Sequence, residues 1–323
     1  MRIGIIGAGA VARYHAAAAA RIPEMKLTAV CDLLLESAAA VAGPSGAAVF
    51  TDYIALLDSG LVDSVIVNTP HGLHRQMVVA AADRGLDVLV EKPMATTVAD
   101  CNAMAAVCRA AGVTLLVGQI QHFLPEKLAV QRALAAGELG EVLMIHDFRS
   151  TDYRPGHRSA WFFDRAMSGG GAFMNIGGHC LDRSLWFGGA PAISVHARTL
   201  NRFDAPVETD GDMELCLANG VAVSIGIVSD MPRHVDEIRV VCDRGLIIAD
   251  PRKGTFLQRD GRTTILHESG PEDIETGFLF QLQEFAAVVA GAPPEVSLTH
   301  ARHIVQVILA AYDSALTGTA VAL

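Results

Sequence analysis

The 323-residue sequence predicts an α/β protein in two parts. Residues 1–120 read as a doubly wound parallel-sheet domain, and residues 121–323 as an α+β domain on a mostly antiparallel sheet. Three observations predict this. Up to Gly118, short strands that are apolar throughout alternate with helical patterns, as in a parallel sheet covered on both faces. Between Ile193 and Leu266, apolar runs are separated by Asn219-Gly220, Asp243-Arg244-Gly245 and Asp260-Gly261, turn residues suited to antiparallel neighbours. The length itself suits two domains of ~150 residues each.

The elements follow in order. Residues 2–6 form a strand, and 10–21 a helix stopped near Pro23. Strands come next at 27–31, 64–67, 88–90 and 114–117. The helices among them are 73–84, ended by Gly85, and 98–111, ended by Gly112. Beyond Gly118, helices occupy about 126–136 and 173–187, strands run between 193 and 266, and helices at about 278–290 and 300–316 close the chain. The last helix is a candidate to pack back on the first domain.

Composition excludes several function classes. The chain is 51% hydrophobic, enough for full cores, with a formal net charge of -10. No basic cluster stands out, which argues against nucleic acid or an anionic membrane as partner. No apolar run approaches the ~20 residues of a membrane span. The six cysteines form no C-x-x-C and no paired framework, and RIGIIG at the start is a strand rather than a secretory leader. Reduced thiols in a cytoplasmic protein are the expectation.

GAGAVA (7–12) follows the first strand and opens a helix, fitting G-x-G-x-x-G/A. Gly7 permits the tight turn, and Gly9 lets the backbone approach a pyrophosphate. With Ala10 and Val11 these residues lead into a helix whose free N–H groups and positive dipole end suit phosphates. Ala12 allows close helix–strand packing. Asp32 ends the second strand, where a carboxylate accepts hydrogen bonds from ribose hydroxyls and repels a 2′-phosphate. No Arg or Lys occurs between Lys26 and Arg75 to neutralise one. The first domain is therefore expected to be a Rossmann domain that favours NAD, with NADP as the alternative. A plain glycine turn with a surface Asp is the competing reading.

Two further strand ends point the same way, because ligands bind outside the carboxyl ends of such strands. VLVEKP (88–93) places Glu91 and Lys92 at the cofactor crevice; an exposed Glu-Lys pair is the alternative. NTPHGLH (68–74) supplies Asn68, Thr69, Pro70, His71 and His74 as cofactor-side residues. Gln121 and His122 follow the sixth strand, and Gln121 is a candidate substrate contact. TDYRPGHRSAW (151–161) is rich in donors that suit hydroxyls, namely Arg154, His157, Arg158 and Trp161.

The densest signal is GGGAFMNIGGHCLD (169–182). A helix through it puts Asn175 and His179 on one face, and Asp182 three residues on is placed to hold the imidazole in one tautomer. Glycines inside a helix cost ~1 kcal/mol each relative to alanine. A close approach of backbone to a ligand would explain them; so would helix packing. The histidine pairs at 71/74 and 300/303 lack a third ligand of the right kind, so no metal is expected.

Together the glycine fingerprint, NTP-x-x-x-H, EKP and GGG…G-x-H-x-x-D resemble the Gfo/Idh/MocA oxidoreductase family, along nearly the whole chain. The resemblance implies a nicotinamide cofactor and a polyol, sugar or related alcohol as substrate. It implies that Lys92 and His179 lie beside the reacting carbinol. A position often Asp in the family is Asn175 here, which removes an acid/base group and leaves a hydrogen-bonding amide. Hydride would pass to the nicotinamide and the alcohol proton to His179 or to Lys92, whose pKa a nearby cationic ring would lower. Two other functions fit: a non-net-redox, glycosidase-like use of NAD, and a non-catalytic nucleotide-dependent sensor. The resemblance also implies that the second domain's sheet is large and open, and that its uncovered face, which needs protection from water, is buried in a homodimer or homotetramer.

Overall fold

Along the first part of the chain the elements are β1 (Arg2–Ile6), α1 (Ala12–Ala19), β2 (Lys26–Cys31), α2 (Leu35–Ala42), β3 (Ala48–Phe50), α3 (Tyr53–Leu57), β4 (Ser64–Val67), α4 (His74–Ala82), β5 (Asp87–Glu91), α5 (Val98–Ala111) and β6 (Leu115–Gly118). They form one parallel sheet in the order β3-β2-β1-β4-β5-β6. The order reverses at β1 and β4, so their carboxyl ends open the crevice where ligands bind in such sheets. Every residue of β4 is buried, which is why these strands read as unbroken apolar runs. The structure, a computed structural model, describes residues 1–323. It adds α2, β3 and α3, which the periodicity between Asp32 and Asp63 did not reveal; none exceeds eight residues.

The chain continues with α6 (Pro125–Ala135), β7 (Val142–Thr151), α7 (Arg165–Ser168), α8 (Gly178–Gly188), β8 (Ala192–Leu200), β9 (Asp210–Leu217), β10 (Ala222–Ser229), β11 (Asp236–Cys242), β12 (Gly245–Asp250), β13 (Gly254–Arg259), β14 (Arg262–His267), α9 (Asp273–Val289), α10 (Leu298–Thr317) and β15 (Val321–Ala322). Nine strands form the second sheet, in the order β14-β13-β12-β11-β7-β10-β9-β8-β15. The expected hairpins close at Asn219-Gly220, Asp243-Arg244 and Asp260-Gly261. All pairings are antiparallel except β7 with β10. The fold class is as the sequence predicts.

Two corrections concern the second part. β7, ten residues long and paired on both sides, was not anticipated. The expected single helix over 173–187 is a five-residue π-helical segment, Phe173–Gly177, that passes into α8. Such i→i+5 turns are rare and concentrate at functional sites.

Packing divides the chain into two compact units, Met1–Phe123 with Ile274–Arg302, and Leu124–Asp273 with His303–Leu323. In the first unit Phe278 of α9 stacks on Tyr14 of α1 at 5.1 Å and meets His15 edge-on at 4.9 Å. In the second unit α8 and the later part of α10 share a core with the buried faces of β7 to β12. The opposite face of that sheet exposes Met144 and Phe148 of β7 and Glu214 and Cys216 of β9. No helix is long and apolar enough to cross a membrane.

Candidate functional site

In the first unit, the glycine turn between β1 and α1 is built for close backbone approach. Gly7 has φ +94°, and a Cβ there would stand 2.7 Å from the Asn68 carbonyl oxygen, so only glycine fits. Its N–H donates to Cys31 at 2.8 Å. A Cβ on Gly9 would meet nothing within 4 Å, so its backbone faces open space. Ala10 and Val11 are exposed and partly exposed, and Ala12 is fully buried against the sheet. Asp32 is fixed from two sides: Oδ2 accepts from the Ala8 N–H at 2.7 Å and Oδ1 from the Leu34 N–H at 2.9 Å. Each carboxylate oxygen keeps a lone pair for a hydroxyl.

The loop after β4 carries Asn68, Thr69 and Pro70, all partly exposed. The Asn68 amide Nδ2 and Oδ1 are buried and have no hydrogen-bond partner within the protein. A buried amide left unpaired costs free energy unless a ligand or water completes it. His71 is buried, its ring 5.9 Å from that of His74. His74 has no exposed surface, and its two ring nitrogens lie 3.0 Å from the carbonyls of Thr69 and Pro93. Burial pushes this imidazole towards its neutral form, against the pull of those carbonyls. The ring thus acts through the two loops it joins.

β5 ends in Glu91, and Lys92 follows, half-buried, with a cis peptide to Pro93. The Glu91 carboxylate faces inward: Oε1 is 3.0 Å from Nε2 of the buried His15, and Oε2 accepts the Lys92 N–H at 3.2 Å. His15 carried no motif. Its place on the inward face of α1, with Ala12, Ala18 and Ala19, was the available signal. Gln121 is buried, and its Oε1 has no protein partner.

In the second unit the segment 170–185 is buried at every position but one, and that position is His179. Asn175 lies in the π segment, its N–H donating to Gly171 at 3.1 Å. Asp182 is fully buried. The glycines of this segment answer to protein neighbours. A Cβ on Gly170 would fall 2.0 Å from the Tyr312 hydroxyl, and one on Gly171 2.0 Å from the Glu208 carbonyl oxygen. Gly177 faces Met213 and Ile227, and Gly178 faces Ile308. Packing within the unit accounts for glycine at 170, 171 and 177, while a Cβ at Gly178 would make only ordinary contact, 3.9 Å from Ile308.

The donors of 151–161 largely engage one another. Arg154 pairs with Asp152 at 3.0 Å and Asp230 at 3.2 Å, and His157 with Asp152 at 2.8 Å. Arg158 donates to Thr151 at 2.7 Å and lies over the Tyr153 ring at 4.9 Å. Trp161 stacks on Phe162 at 3.7 Å.

Comparison with known proteins decides what this architecture is. Residues 1–119 match the profile of an oxidoreductase family with an NAD-binding Rossmann fold, and residues 128–248 match the GFO/IDH/MocA C-terminal domain. A D-xylose 1-dehydrogenase (NADP(+)) of Haloferax volcanii is 30% identical over the full length of both chains. The chain belongs to the Gfo/Idh/MocA oxidoreductase family. Another relative, the scyllo-inositol 2-dehydrogenase (NAD(+)) of Bacillus subtilis, is 29% identical over 100% of this chain and 96% of its own. Among solved structures, the aldose-aldose oxidoreductase of Caulobacter crescentus, complexed with glycerol, superposes with a TM-score of 0.88 at 26% identity, over 100% of this chain and 99% of its own.

The first unit fits the family's cofactor on its own observations. The open approach to Gly9, the unpartnered amide of Asn68 and the anchored Asp32 carboxylate are what a dinucleotide needs. Glu208 and Arg183 are buried and Tyr312 partly buried, and their partners lie 35 or more residues away, beyond the reach of a local pattern.

Proposed function

We propose that this family member is an NAD-preferring dehydrogenase of a secondary alcohol in a sugar, polyol or sugar derivative. The observation that carries the reading is His179, the one open position in an otherwise buried run, with Asn175 four residues before it. A bound nicotinamide supplies the hydride acceptor. His179 takes the alcohol proton, the general-base role that imidazole most often fills. Asn175 holds the hydroxyl through its amide and, having no ionisable group, moves no proton. Lys92 polarises the alcohol oxygen. Asp182 steadies the imidazole.

In the first unit, Gly7, Gly9, Ala10 and Val11 receive the pyrophosphate, Asp32 the adenosine ribose, and Asn68, Thr69, Pro70, His71 and Glu91 form the nicotinamide side. His74 supports that side from behind. Asp32 favours NAD, since a 2′-phosphate beside it would meet like charge. Arg154, His157, Arg158, Trp161 and Gln121 are the substrate-binding candidates.

The test is NADH appearance with a panel of sugars and polyols, NADP⁺ run in parallel. His179→Ala should lower kcat about 10²–10⁴-fold, the usual weight of proton transfer, and Lys92→Met, which removes the charge at the alcohol oxygen, about 10²–10³-fold. Full turnover in His179→Ala would remove it from the mechanism. Saturable NAD⁺ binding without turnover on any substrate would turn the reading to non-net-redox chemistry or sensing.

A further inference from the structure

We infer that Glu208, assisted by Tyr312, is a positioning group that sets where Asn175 and His179 point; the inference rests on the function proposed above. Glu208 lies in the loop before β9 and is 7% exposed. Its Oε1 accepts the N–H of Gly171 at 2.9 Å, the N–H of Phe173 at 2.9 Å and the hydroxyl of Tyr312 at 2.7 Å, and its Oε2 accepts Gly171 at 3.0 Å. Its backbone carbonyl takes the N–H of Ala172 at 2.9 Å. Three consecutive amides that open the π segment therefore end on one residue. Opening turns of a helix leave such N–H groups without partners of their own, and a carboxylate is their strongest acceptor.

Tyr312 completes the clasp. Its ring stacks on Phe173 at 5.9 Å, and its hydroxyl occupies the place of a Cβ on Gly170. Burial, with the neighbouring carboxylate, pushes the phenol well above its ordinary range, so it stays protonated and donates. No Lys or Arg forms an ion pair with Glu208, and burial pushes its carboxyl upwards. A lone buried carboxylate is an expensive way to cap a turn for stability alone. Its geometry gives another reason: Phe173 is two residues from Asn175, and the Asn175 N–H returns to Gly171. Moving residues 171–173 moves Asn175 directly and His179 a turn later.

The test uses the full-length protein with Glu208→Gln and Tyr312→Phe, read in three ways. Glu208→Gln should lower kcat about a hundredfold, the scale of a 1 Å misplacement, with KM changed far less and NAD⁺ affinity within twofold. Hydrogen exchange should quicken in peptides covering 171–188 and stay unchanged in 236–250. Tyr312→Phe keeps the stack and should lose about tenfold in kcat, one hydrogen bond's worth. Wild-type kcat with wild-type exchange in both variants would overturn the inference. If Glu208→Gln does not fold, Tyr312→Phe decides by the same criteria. If the wild type turns over no alcohol, the dehydrogenase reading fails, while the exchange measurement still decides whether Glu208 holds the segment.

Discussion

Arg183 and Asp147 form a bidentate ion pair with neither side chain exposed: Nε lies 2.6 Å from Oδ2, and Nη2 2.5 Å from Oδ1. Arg183 is on α8, one turn after His179, and Asp147 is on the buried face of β7. The pair fixes the helix that carries the candidate base against the central strand of the sheet.

Removing Asp147 breaks the bidentate pair and leaves the buried Arg183 with Asp236 as its remaining partner; breaking a buried pair costs up to about 3–5 kcal/mol. Asp147→Ala should therefore lose about that much stability. The double change Asp147→Leu with Arg183→Met should recover only part of it, because Arg183 also pairs with Asp236 at 2.6 Å and its loss removes one of the cations that hold that carboxylate. Urea unfolding followed by tryptophan fluorescence is the measurement, because both tryptophans, Trp161 and Trp186, belong to the second unit. Equal loss in the single and double variants would show that the pair itself, and not the stranded charge, matters.

Asp236 predicts an acid limit. Burial alone would raise its carboxyl, but Arg149, Arg183 and Lys127 hold it far below the usual range. A depressed folded value contributes stability above the unfolded pKa of about 3.9, and that contribution is lost as pH falls through the folded value. Stability of the second unit should be flat above about pH 5 and fall below about pH 4. Asp236→Asn should be less stable at pH 7 and show a shallower acid limb. An unchanged limb would assign the acid sensitivity to other carboxylates.

Asp32 predicts cofactor choice. Asp32→Ser removes the charge and the ribose acceptor, so the NAD-to-NADP ratio of kcat/KM should fall at least about tenfold, the value of one charge-assisted hydrogen bond. A ratio unmoved by the substitution would mean that NAD preference, if measured, is set elsewhere.

The open face of the nine-stranded sheet predicts self-association. Met144, Phe148 and the exposed thiol of Cys216 lie on it. The other five cysteines are buried, and burial pushes Cys31 and Cys108 up to about 11 and Cys101 to about 12. We expect a dimer or tetramer by sedimentation, with Cys216 labelled slowly in the native protein and quickly in a Phe148→Asp monomer. A monomeric wild type with a fast-reacting Cys216 would leave this face to water.

The sequence by itself determined the parallel sheet and the glycine turn, and it singled out Asp32, Lys92 and His179 as candidates. Each is written in neighbouring residues: an unbroken apolar strand, a glycine where φ is positive, a polar residue at a strand end. The hairpin turns of the second sheet were legible for the same reason. Tertiary structure decided the rest. β7 escaped notice because its partners β10 and β11 follow some 80 to 90 residues later and because Asp147 and Arg149 break its inward face. Those charges are acceptable there only because Arg183 and Asp236 meet them. At 170 and 171 the need for glycine comes from Tyr312 and Glu208, which fill the space beside them. Local sequence records backbone conformation and burial pattern; it carries no record of which distant side chain will satisfy a buried charge or an opening turn of helix, and in this protein those distant partners hold the segment that carries the residues proposed for the chemistry.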